Sequence, residues 1–544
     1  MMSLNRETRY NIVILISCFL LSYLSYFNVI NSFFLADDFN WVHQIKTRGA
    51  FGVWTTAPDV FFRPVVSLTL FLDYIIWGLN SIGYHLTNLS FHAICGFSIY
   101  RILSQLLNKV QLPSKQIKIT ALITALLFII LPSHVEAVTW ISARSDLVAA
   151  CFCLASFSYY LSYKNYHNKR NLLFSYLLFL LALLSKESVI IYPGIIFSYE
   201  IYDYFTESDD NKTSIKNIIL FPLLYTSLFP IYLILRYLGL GQLIGGYGSG
   251  VHLQYNSAII LRGLGSTLRI LIPPISNSTD FDWQLFFIIT TASLLTIMLV
   301  YAWIGNYYEK ISKLIVFLIT AFLISLIPII NLVVSLQDHQ GERFLYFPSV
   351  FFIMIFTIII STILWRYQFI LLMSLTILTL LFSNNLHHSN KNWKIASQIS
   401  QQIIEDINSI ATDNSLFIIN LPDNFKGAYI YRNGLFPATQ LFCEDKNIKY
   451  LPLVLFNNVI NIEDKVEVTA ISQSQYNAQL MQPNTYFMHP SLPIQQRLET
   501  PNFKILDFDW ATRQSFKVEV KVEAFEDDVV YYSGGHLIKM TSPR

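Results

Sequence analysis

The chain has 544 residues, of which 53% are hydrophobic and 13% are charged, and its mean hydropathy is +0.46. No soluble globular protein of this length has such a composition, so repeated membrane-spanning segments are the expected cause. The formal net charge is only +2, without a basic tract, which excludes nucleic acid as a partner. The five cysteines have neither a disulfide nor a zinc-ligand spacing.

Apolar runs along the first 390 residues predict an α-helical polytopic membrane protein with about 11 spans. The first run follows Arg6 and Arg9 and is longer than the apolar core of a secretory signal. We therefore expect a retained helix with the N-terminus in the cytoplasm, and the later loops then agree with the cytoplasmic preference of basic residues. The predicted spans are residues 11–30, 83–106, 119–131, 147–163, 171–184, 189–204, 218–238, 286–305, 314–334, 347–364 and 369–381.

A modestly apolar segment, residues 258–272, decides the parity of this count. It contains Arg262 and Arg269 and ends at two prolines. Each arginine near the bilayer centre would cost roughly 2.5 to 3.5 kcal/mol, so we expect an interfacial or re-entrant segment. An odd number of spans then places the C-terminus outside.

The character of the chain changes near residue 390. Residues 391–411 have apolar positions at helical spacing and predict an amphipathic connecting helix. Residues 412–544 contain alternating runs such as KVEVTAI and SFKVEVKVE, which predict strands, and are numerous enough for one small domain. We therefore divide the chain into a multispanning core (1–390), this helix, and a soluble α/β or β-rich extracytoplasmic domain (412–544).

An acidic pair, Asp37 and Asp38, lies within FLADDFNW, where the first span is predicted to emerge into water. One carboxylate of such a pair can act as general base on a hydroxyl, while the other orients it or helps to bind a metal. For a single carboxylate at this place, solvated charge at a helix end is the more common explanation. If a metal is used, these two residues are its candidate ligands.

Three further charged clusters fall on the same predicted side of the membrane. Each has a simpler explanation: the histidine could be packing, Lys186 and Glu187 could neutralise one another, Arg343 could reach lipid phosphates, and the others could be separate surface charges. Their convergence favours a site for an anionic lipid-linked substrate, which needs Arg or Lys at its phosphate and a carboxylate at the reacting hydroxyl. The candidate substrate-binding residues are His134, Glu136, Arg144, Asp146, Lys186, Glu187, Glu342 and Arg343.

Several short motifs resemble a known family. They are HVEAVTWISARSDLVA at 134–149, the Lys186–Glu187 turn, FDWQ at 281–284 and GERFLYFPSVFF at 341–352. In this order they resemble the multispanning core of the transmembrane and tetratricopeptide-repeat O-mannosyltransferases and, more broadly, the GT-C superfamily of polyprenyl-phosphate-sugar-dependent glycosyltransferases. The acidic pair also matches that superfamily's acidic motif in the first external loop. A β-rich tail stands where the eukaryotic members carry repeats, which suggests a bacterial-type member.

The resemblance implies an inverting transfer of a sugar, mannose or a similar hexose, from a polyprenyl-phosphate donor to a hydroxyl of a protein or envelope glycan. Asp37 or Asp38 would be the base, Arg343 and Lys186 would hold the donor phosphate, and the remaining candidates would shape the site. The resemblance also implies an active site at the external face. The Ile/Asn/Lys-rich composition and the β-rich tail suggest that this face is the periplasmic side of a bacterial inner membrane, and the acidic pair leaves a divalent cation open as a cofactor.

Two other classes of function compete with this interpretation. A transporter or flippase of lipid-linked glycans should carry ionisable residues and broken helices near the bilayer midplane, often in two related halves. Here the charges cluster at one predicted face, and the two halves show no related pattern. A non-catalytic membrane scaffold with a recruiting tail is the second alternative, and the intact acidic pair argues against it.

Overall fold

The computed structural model covers most of the predicted core and the C-terminal region. The eighth predicted span, the motif FDWQ and most of segment 258–272 lie outside the described residues. The described residues are 6–54, 61–206, 215–243, 265–270, 309–330, 332, 334–335, 338–411, 416–446, 448, 451–489, 493–521 and 529–540.

The chain forms two compact units by its internal contacts. The membrane unit comprises Met1–Ile30, Ala50–Gly78 and Gly83–Asn390. The C-terminal unit comprises Asn31–Gly49, Leu79–Ile82 and Lys391–Arg544. The acidic stretch that follows the first span therefore folds within the C-terminal unit.

The residues at the two ends of the third α-helix explain where it begins and stops. It starts at Pro64, which suits the first helical position, and stops at Gly78, whose φ of +58° disfavours other residues. In chain order the described α-helices are α1 (Arg6–Ser25), α2 (Asp37–Arg48), α3 (Pro64–Trp77), α4 (Ser81–Val110), α5 (Ser114–Ile129), α6 (Val135–Thr139), α7 (Arg144–Tyr166), α8 (Lys169–Leu183), α9 (Tyr192–Thr206), α10 (Ile215–Thr226), α11 (Leu228–Leu240), α12 (Glu309–Leu326), α13 (Tyr346–Leu364), α14 (Gln368–Ile410) and α15 (Leu435–Phe442).

Six of the described helices are long and apolar enough to cross a membrane, or seven if the bent pair Ser114–Ile129 and Pro132–Thr139 is one span. This confirms an integral, polytopic membrane protein, whereas the count of about 11 spans stays a prediction. Helices α8 and α9 have 15 residues each, about 22 Å of helix against a hydrocarbon core of about 30 Å. The predicted seventh span consists of two helices, α10 and α11, which meet at Ser227.

Helix α14 is continuous for 43 residues. The sequence instead predicts a short span followed by a separate amphipathic helix. The predicted boundary near residue 390 falls within the polar stretch SNNLHHSNKN, residues 383–392. This stretch contains neither proline nor glycine, and these polar residues cost a helix only a few tenths of a kcal/mol each. The change in composition therefore does not interrupt the backbone.

A buried ionic cluster ties α4, α7 and α9 together, at the end of α7 that is remote from Arg144. The Lys164 ammonium lies 3.1 Å from Glu200 and 2.8 Å from Asp203, and Lys109 also pairs with Asp203. Both carboxylates are fully buried. Since a buried charge requires a partner, this cluster fixes the three helices against one another.

The C-terminal unit contains two β-sheets around one apolar core. Its strands are β1 (Phe417–Phe425), β2 (Ala428–Tyr429), β3 (Leu453–Val459), β4 (Val466–Ala470), β5 (Gln475–Leu480), β6 (Phe487–Met488), β7 (Phe503–Phe508), β8 (Ser515–Val520), β9 (Val529–Ser533) and β10 (His536–Lys539). The first sheet has the order β10-β9-β1-β3-β6, with β2 paired to β1, and β1 runs parallel to β3 and β9. The second is antiparallel, with the order β4-β5-β8-β7.

The pattern of apolar residues explains most of these strands. Strand β4 alternates buried and exposed side chains, whereas every residue of the central strand β1 is buried. Strands β9 and β10 are joined through Gly534 and Gly535, whose φ values of +59° and +90° suit a two-residue hairpin turn. The predicted β-rich C-terminal region is confirmed. Strands β3 and β5 were not predicted. LVLFNNV in β3 does not alternate, whereas QYNAQL in β5 does alternate polar and buried apolar residues and could have been recognised.

Candidate functional site

In the membrane unit, two of the predicted cations lie against one aromatic ring. The Arg343 guanidinium is 4.5 Å from the centre of the Phe344 ring, and the Lys186 ammonium is 5.3 Å from it. Both distances are within the range of a cation–π interaction. The guanidinium also lies 5.0 Å from the ring of Trp140. The structure therefore brings together two cations that are far apart in the sequence.

Glu136 holds Arg343 through two contacts. The Arg343 backbone N–H donates to one carboxylate oxygen at 2.9 Å, and the guanidinium forms an ion pair with the other oxygen. Glu136 lies in the segment Pro132–Thr139, which is bent by 52° from α5. Glu136 is fully buried, whereas 16% of the Arg343 side chain is exposed. The cation is thus the accessible member of the pair.

Lys186 is held by Asp146 at a distance of 2.6 Å. Asp146 lies in the first turn of α7, where the helix dipole favours a negative charge. Its second carboxylate oxygen is buried and has no hydrogen-bond partner in the described part of the chain. Lys186 is itself almost fully buried, in the turn that follows α8.

Glu187, the next residue, has a different partner. The Arg63 guanidinium donates to its two carboxylate oxygens at 2.8 and 3.3 Å, and also donates to the Ser145 hydroxyl at 3.3 Å. The neighbours Lys186 and Glu187 therefore take their ion-pair partners from other segments, so their charges do not simply cancel within the turn. Two such pairs link α7 and the start of α3 to this turn.

We expect Glu187→Gln to lower the free energy of unfolding at neutral pH. The difference between wild type and variant should become smaller in acid. Burial raises the pKa of the Glu187 carboxyl, but Arg63 and Lys186 together with hydrogen bonds outweigh burial and bring the pKa from 4.5 to about 2. A depressed pKa contributes stability that is present above about pH 4.5 and lost as pH falls toward 2. The Glu187 side chain is 28% exposed, and solvent weakens the ion pair accordingly. We therefore expect the free energy of unfolding of Glu187→Gln to be about 2 kcal/mol below that of wild type at pH 7.

The measurement is the thermal unfolding midpoint in detergent between pH 7 and pH 2, with Glu7→Gln as an exposed control of the same chemistry. The curves of wild type and Glu187→Gln should converge at low pH. Parallel curves over the whole range would show that the ion pair with Arg63 does not stabilise the fold.

Arg144 is fully buried. It is therefore not a separate surface charge, which was one interpretation of the sequence. Its guanidinium pairs with Asp73 at 2.6 Å, donates to the Asn88 side chain at 2.6 Å and donates to the Tyr84 carbonyl at 2.8 Å. These partners lie on α3 and α4, whereas Arg144 begins α7. The contacts favour a role in joining three helices over direct contact with a substrate.

Glu342 also has internal partners. It forms an ion pair with Arg269, and its other oxygen lies 3.0 Å from His339 Nδ1. Arg269 belongs to the short turn Thr267–Ile270 and also donates to the Ser335 carbonyl at 3.2 Å. This cluster anchors the segment that carries Arg343.

His134 is fully buried among aromatic rings. Its Nε2 lies 2.8 Å from the Ser349 hydroxyl, and its ring centre is 4.6 Å from that of Tyr346 and 4.5 Å from that of Phe128. These contacts favour packing, one of the two interpretations considered from the sequence. The ring supports the bend that positions Glu136.

The acidic pair lies in the C-terminal unit, in the first turn of α2. Asp38 is only 1% exposed, and its carboxylate accepts a hydrogen bond from the Leu35 N–H at 2.9 Å. Asp37 is half-buried, and one of its oxygens accepts from the Asn433 side chain at 3.1 Å. Asp37 is therefore the more accessible of the two carboxylates.

Several partners in these clusters were not predicted as site residues. Arg63, Asp73 and Arg269 each stand in or beside an apolar stretch, where an unpaired charge is costly. That cost is the signal that could have identified them, although it does not name the partner. Within the described ranges, no group of three or more His, Cys, Asp or Glu side chains could hold a metal ion. The two acidic residues stay the predicted ligands of any cation.

Comparisons with known proteins give partial matches. No protein-family model matches the chain. The chain is 28% identical over 202 residues to protein O-mannosyl-transferase Tmtc1 of Drosophila melanogaster, which covers 32% of this chain and 21% of that protein. It is 32% identical over 144 residues to protein O-mannosyl-transferase TMTC3 of Mus musculus, which covers 26% of this chain and 15% of that protein.

A solved structure, ArnT from Cupriavidus metallidurans bound to undecaprenyl phosphate, aligns with a TM-score of 0.41 at 9% identity, over 95% of this chain and 99% of that one. The sequence matches span about a fifth or less of the length of the curated relatives. Within that span, the resemblance to the transmembrane and tetratricopeptide-repeat O-mannosyltransferases is confirmed.

Proposed function

We propose that this chain is a membrane glycosyltransferase that moves a sugar, mannose or a similar hexose, from a polyprenyl-phosphate donor to a hydroxyl acceptor. The observation that carries this proposal is the pair of cations, Arg343 and Lys186, held by carboxylates at one Phe344 ring. Two preorganised cations suit a phosphate whose negative charge increases as it leaves. The similarity to protein O-mannosyl-transferases supports the same class of reaction and a protein acceptor, and an envelope glycan is the alternative acceptor that we propose.

In the proposed reaction, the acceptor hydroxyl attacks the anomeric carbon from the face opposite the phosphate, so that centre is inverted. The bond from the anomeric carbon to the phosphate oxygen breaks, and its electron pair leaves with the polyprenyl phosphate. Arg343 and Lys186 stabilise the leaving phosphate, and Asp37 takes the hydroxyl proton. We assign the base to Asp37 because Asp38 is almost fully buried and already accepts the Leu35 N–H.

The burial of the pair Arg343–Glu136 supports the role of Arg343. An anion that approaches the pair of Arg343 and Glu136 would meet the cation, since only the carboxylate is fully buried. We propose that Arg144, His134 and Glu342 shape the site by holding helices and turns. The reaction would take place at the periplasmic face of a bacterial inner membrane, where the sequence predicts these segments.

The test is a transfer assay with the purified full chain in detergent. Polyprenyl-phosphate hexoses with a labelled sugar are offered together with a mixed extract of envelope proteins and glycans. Wild type should release polyprenyl phosphate and label one acceptor. Arg343→Ala should lower kcat/KM by about 100-fold, because a cation at the leaving group is lost. The exposed Arg366→Ala, in the same unit, should match wild type.

Two results would contradict the proposal. If no donor is consumed while proteoliposomes with the protein move a lipid-linked glycan across the bilayer, the chain is a transporter. If Arg343→Ala and Arg366→Ala both transfer sugar like wild type, the cation pair does not bind the donor phosphate. A parallel assay with a metal chelator measures whether transfer depends on a divalent cation.

A further inference from the structure

The chain enters α2 through a tight, strained turn just before Asp37. The Asp38 N–H donates to the Leu35 carbonyl at 2.9 Å, which closes a four-residue turn. Ala36 in this turn has φ +46° and ψ −115°, the geometry of a type II′ position where glycine is usual. A residue other than glycine keeps such a conformation only where its neighbours enforce it.

Segment 430–434 of the same unit enforces this turn. The Ala36 N–H donates to the Ile430 carbonyl at 2.8 Å. Gly434 approaches so closely that a Cβ there would lie 2.0 Å from the Ala36 carbonyl oxygen, a backbone atom that cannot rotate away. The turn and the segment therefore fit one another only in this arrangement.

The same segment reaches the acidic pair through Asn433. Its side-chain amide donates to Asp37 Oδ1 at 3.1 Å. Its carbonyl accepts from the side chain of Asn40, one turn further along α2, at 3.0 Å. Asn433 is thus held by the helix whose carboxylate it contacts. The two hydrogen bonds of Asn433 therefore fix the direction of the Asp37 carboxylate.

We propose that Asn433 is a positioning residue for the proposed base: it orients the Asp37 carboxylate toward the acceptor hydroxyl. This inference rests on the proposed function, in which Asp37 is the base. It gives the C-terminal unit a direct part in the reaction, since the unit supplies both the carboxylate and the group that holds it.

Two cations near this carboxylate have carboxylate partners of their own. Lys46, at the far end of α2, pairs with Glu444, and Arg432 pairs with Asp423 at 2.6 Å. Helix α15 carries no ionisable side chain. The ionisable groups on the neighbouring elements are Asp38, His43, Lys46 and Arg48 on α2, and Asp423, Tyr431 and Arg432 on β1 and the facing segment. A substitution at position 433 breaks none of these ion pairs.

The test compares Asn433→Ala and Asn433→Gln with wild type through kcat and KM for sugar transfer, together with the thermal unfolding midpoint. Asn433→Ala removes the donor that orients the Asp37 carboxylate, so we expect kcat to fall roughly 3- to 10-fold while KM changes little. Asn433→Gln keeps an amide donor and should recover part of kcat. Asn477→Ala, the same kind of change on β5 of the same unit, should leave kcat and KM unchanged.

The outcomes separate this inference from the proposed function. A fall in kcat at unchanged KM, partly recovered in Asn433→Gln, supports it. Equal losses of kcat in both variants together with a lowered unfolding midpoint would overturn it, because a merely structural role has that result. If Asp37→Asn is inactive while both position-433 variants match wild type, only this inference fails. If Asp37→Asn retains full activity, the assignment of the base fails.

Discussion

Replacing Asp37 with asparagine is expected to lower kcat for sugar transfer by about 10² to 10⁴-fold, the usual contribution of a general base. An amide has nearly the same shape as a carboxylate and can still accept the hydrogen bond from Asn433, but it cannot take up the hydroxyl proton. Folding should therefore be preserved. The measurement is single-turnover transfer with the donor that wild type consumes, together with the thermal unfolding midpoint of the variant.

Asp38→Asn is the matched control. Its carboxylate is almost fully buried and accepts the Leu35 N–H, which an amide oxygen can also do. We expect transfer within about tenfold of wild type, since this residue would fix the turn without accepting the proton. If the Asp38 variant is inactive and the Asp37 variant is active, the two roles are exchanged.

Arg144→Met is expected to reduce the free energy of unfolding by about 3 to 5 kcal/mol. The guanidinium is fully buried and lies 2.6 Å from Asp73, so its removal leaves a buried carboxylate without its counter-charge. Methionine is chosen because it keeps most of the volume of the side chain. The measurement is thermal unfolding in detergent, with the exposed Arg170→Met as control for loss of one positive charge.

The double variant Arg144→Met with Asp73→Leu tests the physical reason. A buried ion pair replaced by apolar residues of similar volume is often neutral for stability. The double variant should therefore recover much of the loss. If it is as unstable as Arg144→Met alone, the hydrogen bonds to Asn88 and Tyr84 stabilise the fold more than the ion pair does.

The sequence predicted the class of fold and the neighbourhood of the site better than it predicted which charged residues form ion pairs. Long apolar runs and strand alternation are local patterns, so the helical core and strands such as β4 and β8 could be recognised directly. Charged residues at the ends of apolar runs are also local, and they singled out Lys186 and Arg343. The partner of each charge is a long-range property. Nothing in the sequence near Arg144 indicates Asp73.

The length and order of apolar runs, and the high cost of charge within them, were sufficient to determine a polytopic membrane protein with charged clusters at helix ends. Only the tertiary structure decided that Arg343 and Lys186 share the Phe344 ring, and that Asp37 folds with Asn433 in the C-terminal unit. Residues distant in sequence meet through the packing of whole elements. A strained turn such as that at Ala36 exists only because distant backbone encloses it.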